Sequence, residues 1–405
     1  MNIDILHYTG PPVVGGVESV IAHHARVMAE AGHSVRILAG RGGQFDERIQ
    51  FIGIPKVDSR HPEVETVKME LDQGRTPTKF GVLVAELVAT LQETCANTQL
   101  LIAHNVCSLN KNLALTAALW QLHESAGLKR LVLWHHDLAW TTPRYRSELH
   151  GGYPWDLLRS DWPGAIQVVV SEQRRSELAH LIGAPLEYIR VVPNGLDIPR
   201  FLKLETQTVE FIEKMDLLAA APLLLLPVRI TPRKNIELAL GVLAVLRQEL
   251  PAAKLVVTGP LGPHNPANKV YFENLQHIRA ELGLEKAAYF LAEHTQEYLP
   301  DRVISDFFHL ADALLLPSWE EGFGIPLLEA GLTGMPIFCS NIAPLRELGG
   351  NEVRYFSPNA SPVEVARMIA PALGQDEKLN LRWRVRNNYT WEKIFQVHIA
   401  PLLAG

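Results

Sequence analysis

The chain has 405 residues, 47% of them hydrophobic and 20% charged, with a net charge of −6. This suits two domains of about 200 residues and excludes a disordered chain or a disulfide-stapled mini-protein. Residues 1–197 hold 18 Lys and Arg against 21 Asp and Glu, and the remainder 20 against 23, so neither half carries the broad basic surface of a nucleic-acid partner.

In chain order, a β-forming run over 2–8 meets the turn signals Gly10, Pro11, Pro12, Gly15 and Gly16. Val20, Ile21, Val27 and Met28 then recur at helical spacing, Gly32 stops that helix, and 35–39 reads as the next strand. Strand, glycine-rich turn, helix, strand is the opening of a parallel α/β domain. The alternation continues with helix 79–91, strand 100–103, helix 113–125 and strand 131–134, which ends at His135, His136 and Asp137. Strand 165–170, helix 173–181 and a short strand over 189–192 follow, and Pro193, Asn194 and Gly195 form a turn read mainly as a hinge.

A second series begins with strand 223–228, helix 235–250, strand 254–257, helix 271–282 and strand 288–291. Strand 313–316, helix 326–332, strand 336–339 and a last helix from Trp391 to about Leu402 complete it. The expectation is an α/β chain of two Rossmann-like parallel-sheet domains, divided near 194–201 and facing a central cleft. Ligands in such sheets bind beyond the carboxyl ends of the strands. Three separated cysteines, Cys95, Cys107 and Cys339, suggest a reducing compartment rather than a disulfide framework or a cysteine-rich zinc site. Without a charged-then-apolar leader or a run near ~20 apolar residues, a cytoplasmic protein with no transmembrane segment is expected.

The unusual residues fall at strand ends. Between strand 313–316 and helix 326–332 stands Ser318-Trp319-Glu320-Glu321-Gly322-Phe323-Gly324-Ile325-Pro326, followed by Glu329 and Ala330. Glycines let backbone N–H groups approach a ligand, and a helix start offers unpaired donors. With a helix beginning near Pro326, Glu321 lies on the loop and Glu329 in the first turn, where a carboxylate suits a vicinal diol. A plain turn and a dipole-complementing Glu are the structural alternatives. Arg229 to Asn235, between a buried strand and a helix, places a guanidinium fork and an ammonium five residues apart, fit for a diphosphate or else a solvated basic loop. Gly15 and Gly16 permit close backbone approach or a flexible turn. His136 can donate to a hydroxyl or be a merely hydrogen-bonded histidine. His23 and His24 read as helical surface or partial burial. No Asp-x-Asp, G-x-G-x-x-G after the first strand, or P-loop occurs, which disfavours dehydrogenase and P-loop chemistry.

The phrase from Ser318 to Ala330, with its two glutamates eight positions apart, resembles the signature of retaining GT-B glycosyltransferases of family GT4. Gly15-Gly16-Val17-Glu18, His136-Asp137, Pro193 to Asp197, the Arg229 and Lys234 spacing, and Trp391 opening the last helix agree with it, so the likeness covers nearly the whole chain. Val228 and Ala292 stand where the family usually has glycine. The resemblance implies an N-terminal acceptor-binding domain over 1–197, with helix 386–405 crossing back to it, and a nucleotide-sugar donor-binding domain over 198–385. Arg229 and Lys234 would hold the donor diphosphate, and Glu329 the ribose. Glu321 would hold the donor sugar, together with Gly322, Phe323, Gly324 and the adjoining Ile325. His136 would contact the sugar near the leaving group, and Gly15 and Gly16 would approach the diphosphate.

The implied reaction is metal-independent transfer of a hexosyl group to an acceptor hydroxyl, with anomeric configuration kept and an α-glycosidic bond formed. His136, Arg229, Lys234 and Glu321 are its catalytic set. No cofactor and no metal is implied, the nucleotide sugar being a co-substrate, either UDP-glucose-like or GDP-mannose-like. The base would meet the loop over 291–299. The acceptor, a small molecule, saccharide or lipid-linked sugar, would lie over 10–17, 104–112 and 137–153, where Trp140, Tyr145, Tyr153 and Trp155 either offer faces to it or are plain packing. Peripheral membrane contact, and a monomer or a homo-oligomer, stay open. An epimerase, a phosphorylase and a non-catalytic nucleotide-sugar-binding subunit are the alternatives.

Overall fold

The structure, a computed structural model, describes residues 1–261, 266–295 and 298–404. Two compact units are present: Met1–Gly195 joined by Trp391–Gly405, and Leu196–Thr390. The sequence boundaries at 197/198 and 385/386 therefore move to 195/196 and 390/391. At the turn read as a hinge, a Cβ on Gly195 would stand 2.6 Å from Cδ2 of Trp391.

The first unit is built on seven parallel strands. They are β1 (Asn2–Leu6), β2 (Ser34–Ala39), β3 (Ile49–Gly53), β4 (Leu100–His104), β5 (Leu131–His135), β6 (Ile166–Val169) and β7 (Ile189–Val191). Their order is β3-β2-β1-β4-β5-β6-β7. Side chains alternate between the two faces with the period of two that a pleat imposes. Leu6, Leu38, Leu101, Ala103, Leu131 and Leu133 share one core with the helices Thr78–Thr94 and Leu113–Glu124. Ile3, Ile5, Ile37, Ile102, Val132 and Trp134 share the other with Ile21, Ala25 and Met28 of helix Gly16–Glu30.

The C-terminal segment packs into that second core through Ile394, Ile399, Leu402 and Leu403. It is helical from 391 to 404, with a wider turn over Phe395–Ile399. Arg130 donates to the carbonyls of Leu402 (2.8 Å) and Leu403 (3.0 Å), satisfying acceptors that a helix end leaves unpaired. At its start, Trp391 stacks on His23 (4.8 Å between centroids) and meets His24 edge-on (5.4 Å). His24 is fully buried rather than partly exposed. It also packs against Trp134 at 4.6 Å, and neither ring nitrogen finds a hydrogen-bond partner among the described residues.

The second unit carries six parallel strands: β8 (Leu223–Leu226), β9 (Lys254–Val257), β10 (Ala288–Phe290), β11 (Ala313–Leu316), β12 (Ile337–Ser340) and β13 (Arg354–Phe356). Their order is β10-β9-β8-β11-β12-β13, the classic doubly wound arrangement. β8, β9, β11 and β12 are buried throughout, as expected when helices cover both faces of a parallel sheet. Behind the amino ends of β8 and β11, Asp312 is wholly buried. Its Oδ2 accepts from Leu223 N (2.8 Å), Trp383 Nε1 (2.9 Å) and Arg386 Nη2 (2.6 Å). This cluster ties helix Glu377–Asn388 to the sheet.

Two predictions follow from buried polar groups. Asp312→Ala leaves the Arg386 guanidinium buried without its counter-charge, and a loss of about 3–5 kcal/mol is expected. Denaturant unfolding followed through a second-unit tryptophan would show it, and an unchanged midpoint would contradict the assignment. The second concerns pH. Burial holds His24 and His136 neutral, with pKa values lowered to about 3, and His7 and His135 lowered to about 4. The unfolded chain protonates these rings near pH ~6.5. Below that value it binds more protons than the folded unit, so their contribution is complete above about 6.5 and is lost as pH falls toward 4 and then 3. Each ring adds a slope of about 1.4 kcal/mol per pH unit. His24→Leu is expected to flatten the fall between pH ~6.5 and ~4, measured as unfolding free energy against pH. The same slope in both proteins would refute this.

Candidate active site

In the second unit the strand order reverses between β8 and β11, neighbours in the sheet whose crossovers run in opposite directions. Such a reversal opens a crevice beyond the carboxyl ends of the strands. Both sequence-marked loops leave from there. The first runs from β8 through a short turn, Pro232–Lys234, into helix Ile236–Glu249. The second runs from β11 into helix Ile325–Thr333. The Trp319 N–H donates to the Arg233 carbonyl at 2.8 Å and fastens one loop to the other.

That bond sets two charges against each other. Lys234 Nζ donates to Glu321 Oε1 at 2.6 Å, and the two side chains are 10% and 8% exposed. Ser318, wholly buried, donates from Oγ to the same oxygen at 2.7 Å. Glu321 Oε1 thus takes both recorded bonds, while Oε2 makes none among the described residues. Arg229 is exposed, with its guanidinium 5.9 Å from the Tyr298 ring centroid. One cation is therefore held and oriented, and the other faces water.

The glycine-rich loop has one true left-handed residue. Gly324 lies at φ +107°, and a Cβ there would come within 2.6 Å of Leu345 Cδ2, so both backbone and space require glycine. Gly322 meets nothing within 4 Å, and Phe323 and Ile325 are exposed. The helix starts at Ile325 rather than Pro326, so Glu329 is its fifth residue, at the start of the second turn rather than in the first. Burial, and secondarily the charge of Asp301, raise the Glu329 carboxyl pKa. At the other flank of β8, a Cβ on Gly259 would stand 1.9 Å from the Val228 carbonyl oxygen. Gly259, not residue 228, is the glycine that this backbone crossing needs. In the expected base-contacting loop, residues 296 and 297 lie outside the described residues.

In the first unit the order reverses between β1 and β4. Gly15 and Gly16 follow β1 and open helix Gly16–Glu30. Gly16 is exposed and meets nothing within 4 Å, whereas a Cβ on Gly15 would collide with the Glu18 carboxylate. Glu18 accepts a hydrogen bond from the Thr9 hydroxyl. His136 follows β5 directly and is half-buried, and its Nε2 lies 3.0 Å from His104 Nδ1. Its neighbour His135 turns elsewhere, 2.8 Å from Gln167 Oε1. Of the aromatics expected at an acceptor surface, only Tyr153 is substantially exposed. Trp155 is core, and Trp140 lies between that core and the Arg159 guanidinium. Ser318, His104 and Asn105 carry site geometry that the sequence reading did not single out as chemistry.

With this geometry described, the likenesses to known proteins are specific. Residues 14–200 match the family described as Glycosyltransferase Family 4, and residues 210–388 match Glycosyl transferases group 1. The chain is 24% identical to the MMP alpha-(1->4)-mannosyltransferase of Mycolicibacterium hassiacum, an alignment covering 92% of this chain and 86% of that one. It is 23% identical to the glycogen synthase of Mycobacterium tuberculosis over 99% and 95% of the two chains. The solved sucrose-phosphate synthase of Thermosynechococcus elongatus is 16% identical, covers all of both chains and gives a TM-score of 0.41. The two family matches together span nearly all of both parallel-sheet units, and the protein belongs to glycosyltransferase family 4, with the GT-B α/β fold.

Proposed function

We propose that the protein transfers a hexosyl group from a nucleotide-diphosphate sugar to an acceptor hydroxyl with retention of configuration and without a metal ion. The observation that carries this reading is the Lys234–Glu321–Ser318 cluster at the β8/β11 reversal, where Arg229 and Lys234 share the loop that follows β8. A departing diphosphate gathers negative charge. Arg229 and Lys234 bring two cations to it, and the start of helix Ile325–Thr333 adds backbone donors. Ser318 and Lys234 hold Glu321 by Oε1, and its other oxygen accepts from hydroxyls of the donor sugar. Glu329 accepts from the ribose. His136 donates to the transferred sugar.

No side chain serves as a nucleophile in this scheme. The diphosphate oxygen takes the acceptor proton on the face from which it departs. UDP-glucose-like and GDP-mannose-like donors both fit it. The mannosyltransferase name of the M. hassiacum relative, with its alpha-(1->4) linkage, favours a mannosyl group and an α product. No helix among the described residues is long and apolar enough to cross a membrane. The proposed setting is the cytoplasm, with a saccharide or other small acceptor.

Lys234→Ala and Glu321→Ala are each expected to lower kcat by about 10²–10³-fold, with far-ultraviolet circular dichroism unchanged. Wild-type turnover in both variants would overturn the site. Activity is also expected to survive excess EDTA. Its complete loss, with recovery on adding Mn²⁺ or Mg²⁺, would refute the metal-free reaction.

A further inference from the structure

His136 does not stand alone. His104 ends β4, next to β5 in the sheet, and is wholly buried. Its ring stacks on Trp134 (5.2 Å between centroids, 25° between planes) and on His136 (5.3 Å, 25°), with its Nδ1 3.0 Å from His136 Nε2. The His104 carbonyl accepts from His7 Nδ1 at 2.7 Å. The next residue, Asn105, takes a left-handed backbone at φ +56°. Its N–H donates to the Trp134 carbonyl at 2.8 Å. Its Oδ1 accepts from the backbone N–H groups of His136 (2.7 Å) and Asp137 (3.2 Å). One residue thus fixes the backbone of His136, and the residue before it meets the ring.

The proton between the two rings has a determined place. Burial lowers the pKa of both imidazoles, so each carries a single N–H. If His136 donated from Nε2, His104 would carry its own proton on Nε2. That atom is buried and has no partner among the described residues. An orphaned N–H in an aromatic surround costs more than a bare ring lone pair. The opposite arrangement leaves a bare lone pair at His104 Nε2 and puts the His136 N–H on Nδ1 of the half-buried ring. We propose that His104 is a positioning residue: it donates from Nδ1 to His136 Nε2, fixes His136 as the Nδ1–H tautomer, and leaves Nδ1–H as the one donor that His136 offers a substrate hydroxyl. This rests on the reading that His136 meets the donor sugar, and it adds which nitrogen does so.

The test has a spectroscopic arm and a kinetic arm. Two-bond ¹⁵N–¹H correlation spectra of the ¹⁵N-histidine-labelled protein report which nitrogen of each ring is protonated, with His136→Asn used to assign the signals. Protonated Nδ1 and bare Nε2 on His136 are expected, with Nδ1 of His104 protonated. A proton on His136 Nε2 overturns the proposal. Kinetically, His104→Asn keeps an N–H donor near the lost Nδ1 and is expected to retain most of kcat. His104→Phe removes the donor and is expected to lose about 10²-fold in kcat, with a smaller change in donor KM. Equal losses in the two variants, both with wild-type near-ultraviolet circular dichroism, overturn the positioning role. Should His104→Phe fail to fold, the wild-type spectrum decides alone. Failure of the underlying reading looks different: His136→Ala would turn over at the wild-type rate, whatever the tautomer.

Discussion

The adjacency of β8 and β11 is the constraint on which the second unit's chemistry depends. Parallel strands cannot be joined by a tight turn, so each connection returns along a face through a helix or a long loop. Where successive connections leave in opposite directions, the loops beyond the strand ends part. Arg229 to Lys234 and Ser318 to Gly324 are drawn from the two loops at that point. A single backbone bond, Trp319 to Arg233, then fixes their spacing. Insertion of a strand between β8 and β11 would separate Lys234 from Glu321 by another strand spacing of about 4.8 Å and dissolve the pair.

The pair also explains how a nearly buried ammonium is tolerated. Lys234 exchanges water for Glu321, and Glu321 takes a second donor from Ser318. A buried ion pair adds little net stability, because desolvation offsets the attraction. Its value lies in orientation. A lysine free in solvent has to be ordered when an anion arrives, and that ordering costs side-chain entropy. Here Glu321 holds the end of the stem in place. Arg229, exposed near Tyr298, has no carboxylate partner among the described residues.

Much of this architecture was legible in the sequence, and for a physical reason. β9 and β11 have the bounds read from sequence because a continuous apolar run between turn residues has few other uses in a parallel sheet. The edge strands β3 and β13 were missed. Ile49–Gly53 and Arg354–Phe356 are partly exposed and include Gln50 and Arg354, so the apolar signal is diluted. Helix Glu377–Asn388 was missed for a related reason: of its two buried residues, Leu379 and Arg386, one is an arginine, which pattern reading assigns to solvent. The marked loops stand where the sequence put them, but the contact between Lys234 and Glu321 joins residues 87 apart. Sheet order, not spacing, brings them together. Trp140 and Trp155 follow the packing alternative of their sequence reading, since aromatic rings fill cores as readily as they face sugars.

The two strand-order reversals solve opposite electrostatic problems. Around β8 and β11 the protein keeps charge in a dry place by pairing it. Around β1 and β4 it gathers His7, His24, His104, His135 and His136, and burial keeps them neutral. Neutral imidazoles can stack and pass hydrogen bonds to one another without the desolvation cost of ions. In the retaining transfer proposed above, positive character develops at the anomeric carbon, and neutral rings would add no positive charge beside the sugar that His136 is proposed to meet. A histidine held neutral by burial, its single N–H left on Nδ1 by the proposed His104 bond, would orient a sugar without opposing its charge. The dense packing of rings around Trp134 is therefore part of the proposed chemistry as well as of the core.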